Sequence, residues 1–69
     1  MADWIKVNEE TLNAHLELLR ESEPVKSRHF RNDNVTVYYQ GSDDVFEQHW
    51  IAKVSFRHEK PCYYIANRG

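Results

Sequence analysis

Pro24 divides this chain into two patterns that cannot form the same structure. Before it, Leu12, Leu16 and Leu19 recur at i, i+4 and i+7, with Ala14 and His15 close to the same stripe. That spacing predicts a helix from about residue 9 to residue 21 with one face buried. Asn8 suits the N-cap, where a side-chain oxygen accepts from an otherwise orphaned backbone N–H. Glu9 and Glu10 then sit at the positive end of the helix dipole, and Val7 and Leu12 have the spacing of a hydrophobic staple. Glu17 and Glu21 fall on the wet side. A proline disfavours helical backbone in the residue before it, so the helix stops by Glu23.

After Pro24 the period changes from 3.6 to two. Residues 35–40 (VTVYYQ) are β-branched and aromatic, preceded by the turn formers Asn32, Asp33 and Asn34. Residues 27–31 are therefore expected to pair with them as a short hairpin. A longer strand is predicted over residues 49–58, with Trp50, Ala52, Val54 and Phe56 on one face and Ile51, Lys53, Ser55 and Arg57 on the other. Glu59, Lys60 and Pro61 turn the chain into a last strand, Cys62–Asn67. Residues 4–7 are either a further short strand or an extended lead-in.

The expected architecture is α+β in two layers, one N-terminal helix packed on a three- or four-stranded antiparallel β-meander, with residues 1–69 as a single small domain. Its expected core is Leu12, Leu16, Leu19, Val35, Val37, Trp50, Val54 and Phe56. Because successive strand residues alternate, the pairs Tyr38/Tyr39 and Tyr63/Tyr64 must each place one ring on either face of the sheet.

Size and cysteine usage narrow the function classes. With 69 residues, folding buries roughly 60% of the surface the unfolded chain exposes, and a deep water-free cleft is hard to enclose. Catalytic pockets usually need such a volume, so no enzyme is expected. The one cysteine, Cys62, excludes an internal disulfide, which points to a reducing, cytoplasmic setting. No signal-peptide pattern opens the chain and no apolar run approaches a membrane span, so no membrane association is expected. His49, His58 and Cys62 offer neither the ligand number nor the paired spacing of a zinc site. Neither a metal nor a cofactor is expected. Cys62 with His58 and Glu59 lacks any sign of convergence that a nucleophile and base would need, and a packed, inert thiol is the simpler reading.

Charge is divided along the chain. Residues 1–23 hold Lys6 and Arg20 against six acids, whereas residues 49–69 hold Lys53, Arg57, Lys60 and Arg68 against Glu59. The sheet face away from the helix should present Ile51, Lys53, Ser55 and Arg57 with one tyrosine from each pair, and Ile65. Tyrosine and arginine are enriched at protein interfaces, and Phe46 between the acids Asp43, Asp44 and Glu47 would make an anchor for a basic, apolar groove.

The first expectation is accordingly a stand-alone protein-binding regulator or inhibitor. Phe46, Asp43, Asp44, Tyr38, Tyr63, Lys53 and Arg57 are its candidate contacts, and another protein is its partner. A chain from Met1 to just past its last strand fits a complete small gene product. By analogy it would be a phage or mobile-element factor acting on a host enzyme or defence complex, as monomer or homodimer. The alternative is a single-stranded nucleic-acid-binding domain that uses Lys53, Arg57, Arg28, Arg31 and Tyr63, with Lys26 beside them. In that case rings stack on bases and cations hold phosphates.

Overall fold

The helical stripe and its cap behave as the spacing requires. In the computed structural model, which describes residues 3–44 and 47–67, α1 spans Glu9–Arg20. The Asn8 side chain accepts from the Thr11 backbone N–H at 2.7 Å, satisfying one of the donors a helix start leaves unpaired. Leu12 and Leu16 are 2% and 4% exposed and form the seam of the core. Each stabilises the fold by roughly 1.5–3 kcal/mol through burial.

Five strands, rather than three or four, make one antiparallel sheet: β1 (Asp3–Val7), β2 (Lys26–Phe30), β3 (Val35–Gly41), β4 (Gln48–Ser55) and β5 (Cys62–Asn67). Their order is β1, β5, β4, β3, β2. The last four strands form the expected meander, and the segment at residues 4–7 is a full strand on the free edge of β5. The class is α+β, with the helix against one sheet face.

Partners in an antiparallel ladder share a face, so the register sorts every side chain. Ser27, Tyr38, Ala52, Ile65 and Ile5 form one row across all five strands. His29, Thr36, Val54, Tyr63 and Val7 form another. Both rows are on the α1 side of the sheet, where Ala52, Val54, Tyr38, Tyr63, Ile65 and Val7 pack with Leu12 and Leu16. The row between them, Arg28, Val37, Lys53, Tyr64 and Lys6, points to the opposite side.

A β-bulge corrects the expected core. Tyr38 pairs with Ala52, but Tyr39 pairs with Trp50, leaving Ile51 as an inserted residue. Such an insertion reverses the phase of the strand beyond it. Ile51 therefore joins the helix-side core at 4% exposure, and Trp50 moves to the far face with Tyr39. Val35 and Val37 are on that face too, and Ile65, expected there, is under the helix. Phe56 follows the end of β4 and is 42% exposed, outside the core. Leu12, Leu16 and Val54 hold their expected places, with half-buried Leu19 against them.

Polar contacts clamp the helix to the sheet at both ends. The Tyr63 hydroxyl donates to Glu9 Oε2 at 2.6 Å. At the other end, Gln40 Nε2 donates to the carbonyls of Leu19 and Glu23, each at 3.0 Å. Glu23 in turn accepts from the Gly41 backbone N–H at 2.7 Å. Gly41 has φ +96°, and a Cβ there would lie 3.0 Å from the Glu47 carbonyl oxygen. Only glycine meets both conditions without strain.

Candidate functional site

The face opposite the helix carries an uneven population of side chains. Besides the central row, Phe30, Val35, Ser55 and Cys62 share a second row, and Lys26, Tyr39 and Trp50 a third, while Trp4 and Ala66 pair beside them. The face thus gathers five aromatic rings (Trp4, Phe30, Tyr39, Trp50 and Tyr64) among Lys6, Lys26, Arg28 and Lys53. The acids of α1 belong to the other side of the molecule.

Part of this population is structural. Tyr39 is 7% exposed and its hydroxyl donates to Asp43 Oδ1 at 3.2 Å. Lys26 Nζ reaches the same Asp43 oxygen at 3.1 Å and the Gly41 carbonyl at 3.3 Å. The Lys26 hydrogen bond and charge, followed by the Tyr39 hydrogen bond, hold the Asp43 carboxyl below the usual carboxylate range. These three residues fix the start of the β3–β4 connection.

Of the remaining rings Trp50 is exposed, and Trp4, Phe30 and Tyr64 are half-buried. Phe30 and Trp50 approach to 5.8 Å between centroids with planes tilted by 50°. They come from rows on either side of Val37 and bridge over it, which explains why Val37 is only 2% exposed on a face with no second layer. Trp50 itself is 38% exposed, with its indole N–H donated to Gln48 Oε1 at 2.9 Å. Beside this ring pair a cup of about 390 Å³ opens, lined by Phe30, Asp33, Val35, Val37, Trp50, Lys53, Ser55 and Arg57.

Cations lie directly against rings. Lys53 Nζ is 4.5 Å from the Trp4 ring centroid and 5.2 Å from that of Tyr64. The Arg28 guanidinium carbon is 5.5 Å from the Phe30 centroid. A second hollow outside β2 is lined by Arg28, Arg31, Phe30 and Asp33, among others. Phe30 and Asp33 border both hollows, so Arg28 and Arg31 flank the cup. Toward β1, Lys6, Lys60 and Tyr64 contribute to a shallower depression, where two cations outnumber the one acid, Glu59. A basic, ring-bearing track therefore crosses the sheet from β2 to β1, a distance of about 19 Å at ~4.8 Å per strand interval.

The structure places Lys53 and Arg57 on the cup and Arg28 and Arg31 on the adjoining hollow, and it separates the others. Tyr38 and Tyr63 lie under the helix; Tyr39 and Tyr64 are their counterparts on the open face. The glutamate that accepts from Tyr63 holds its phenol proton and pushes its pKa up. Asp43 is engaged with Lys26 and Tyr39, Asp44 sits in the β3–β4 connection, and Phe46 lies outside the described residues. Sequence reasoning missed Trp4, Phe30, Trp50 and Lys6 as members of the face. Trp4 and Lys6 alternate on β1, a signal available once that segment is taken as a strand.

Among the described residues, no three histidine, cysteine or carboxylate side chains group as a metal site, and no helix is long and apolar enough to cross a membrane. Comparison with protein-family profiles, curated sequences and solved structures gave no match to this chain.

Proposed function

We propose that the protein binds single-stranded nucleic acid across the sheet face opposite the helix. The observation that carries this reading is the row Arg28, Val37, Lys53, Tyr64 and Lys6, flanked by Phe30, Trp50 and Trp4. Cations and ring faces alternate there on an open surface. A single strand offers both of the things such a surface contacts, a charged backbone and unstacked bases. A duplex keeps its base faces stacked inside, out of reach of rings fixed on a sheet.

Magnitudes support the exchange that binding requires. In the free protein Lys53 rests against Trp4 and Tyr64, a contact worth about 0.5–1 kcal/mol at an exposed site. A base stacking on either ring contributes roughly 1–3 kcal/mol and releases the ammonium toward phosphate. Two such stacks supply roughly 2–6 of the about 8 kcal/mol of a micromolar complex, and phosphate contacts supply the rest.

The test is fluorescence anisotropy of a labelled ten-nucleotide single strand with the parent protein and with Lys53→Glu/Arg57→Glu. Arg57 is exposed and Lys53 half-buried against Trp4 and Tyr64, so the double variant should keep the parent's circular dichroism and lose about 1 kcal/mol of stability with that ring contact. Binding by the parent and its loss in the variant is the expected result. Affinity that survives the double charge reversal would remove this face as the site.

A protein-binding regulator or inhibitor is the second reading, and one observation favours it: Leu18 is 66% exposed on the outer side of α1, between Glu17 and Glu21 in the helix sequence. An apolar side chain in an acidic surround suits a basic protein groove. A near-stoichiometric protein retained from nuclease-treated lysate by the parent, and lost with Leu18→Glu, would favour this reading over the first.

A further inference from the structure

A surface that attracts phosphates gains nothing from a carboxylate unless that carboxylate meets a donor. Asp33 is the one acid among the residues lining the cup. It belongs to the turn between β2 and β3, closed by the Asn34 backbone N–H donating to the Arg31 carbonyl at 3.2 Å. Asn34 has φ 50°, left-handed backbone that asparagine tolerates better than most residues. Its side-chain Nδ2 donates to the Phe56 carbonyl at 3.1 Å, and its carbonyl accepts from the Phe56 N–H at 2.9 Å. The turn is thus tied from both directions to the residue that precedes Arg57. Asp33 and Arg57 are set at the cup by one anchored corner. Lys26 pairs with Asp43, and among the described residues the Asp33 carboxylate takes part in no ion pair.

We propose that the cup is a guanine-selective subsite, an inference that rests on the single-strand reading above. An ionised carboxylate is acceptor-only and takes two parallel hydrogen bonds best. Guanine is the one common base whose Watson–Crick edge presents two adjacent donors, N1–H and the N2 amino group. Adenine and cytosine place a ring-nitrogen acceptor beside their amino group, and thymine or uracil flanks a single N–H with two carbonyls. Each of those sets a lone pair against the carboxylate. With guanine on Asp33, the O6 acceptor at the other end of the same edge matches the donors of the cup, Ser55 and Arg57. The ring face lies against the Phe30 and Trp50 wall. Selectivity then comes from the turn, and affinity from the row of cations and rings.

The experiment compares labelled oligo-dT, the same strand with two central guanines, and the same strand with two inosines, each titrated against the parent and Asp33→Ala. The expected result is about tenfold tighter binding of the guanine strand by the parent, the order of discrimination a good bidentate contact provides. Inosine, which lacks the N2 amino group, should lose most of that gain. Asp33→Ala should bring the guanine strand down to the oligo-dT level and leave oligo-dT binding unchanged or slightly tighter. The inosine comparison uses the parent protein alone, so it stands even if the variant is misfolded. Equal affinity for all three strands makes Asp33 an ordinary turn residue and overturns the subsite while the sheet-face reading survives. A guanine preference that persists with inosine and with Asp33→Ala also overturns it. No measurable binding to any strand overturns both.

Discussion

Neutralising the two ends of the basic row should halve the salt dependence of binding. The row and the cup together present four cations, Lys6, Arg28, Lys53 and Arg57. For single strands, log affinity falls against log salt with a slope of about −0.7 per phosphate neutralised. Four contacts give a slope of about −2.8, so raising salt from about 50 to about 200 mM weakens binding about 50-fold. The double variant Lys6→Ala/Arg28→Ala leaves Lys53 and Arg57, for a slope of about −1.4 and a loss of about sevenfold over the same range. Arg31, if it adds a phosphate contact from the turn, steepens both slopes equally and leaves their difference near 1.4. Anisotropy titrations at four or five salt concentrations measure both slopes. Parallel lines for parent and variant would show that the ends of the row touch no phosphate and would refute the proposed track.

Three further outcomes test the fold beneath the site. Leu16→Ala removes a side chain 4% exposed at the centre of the core and should cost about 2–5 kcal/mol in urea unfolding; a loss under 1 kcal/mol would contradict the packing described. Gly41→Ala forces a side chain into left-handed backbone 3.0 Å from the Glu47 carbonyl and should cost about 1–2 kcal/mol, whereas an unchanged melt would show that the β3–β4 connection adapts freely. The Asp43 carboxyl has its pKa lowered in the folded state, so its contribution is present above the ordinary value of 3.8 and is lost as pH falls through the folded value. The difference in urea midpoint between parent and Asp43→Asn should therefore exist at neutral pH and close in strong acid; a difference that persists there would contradict the Lys26 and Tyr39 contacts.

The parts of the fold legible in the sequence are those set by neighbouring residues. Asn8, the acidic first turn and the leucine stripe define α1 because capping and a 3.6-residue period act within a few positions. Cys62–Asn67 is bounded by Pro61 and by its own β-branched and aromatic content. The tyrosine pairs divide between faces because a strand's period of two leaves no other arrangement. The site was less legible because it depends on register. Trp50, Ala52, Val54 and Phe56 alternate without a flaw in sequence, yet the inserted Ile51 sends Trp50 to the other face. Only the pairing of β4 with β3 creates that insertion. The same applies to Phe30, which reaches Trp50 over Val37 through a hairpin register that no local pattern specifies. Lys53 is predicted on the open face, but its place against Trp4 follows from β1 joining β5.

Trp4 and Trp50 are the chain's two tryptophans, and both lie on the face proposed to bind. Their indole N–H resonances in a ¹⁵N-labelled sample therefore report on that face alone. Titration with unlabelled oligo-dT is expected to shift both indole signals saturably, together with the backbone amides of Arg28, Lys53 and Tyr64. The amides of Glu10 and Glu17 on α1 should stay in place. Shifts confined to the helix, or none at all at millimolar strand, would contradict the sheet face as a single-strand site.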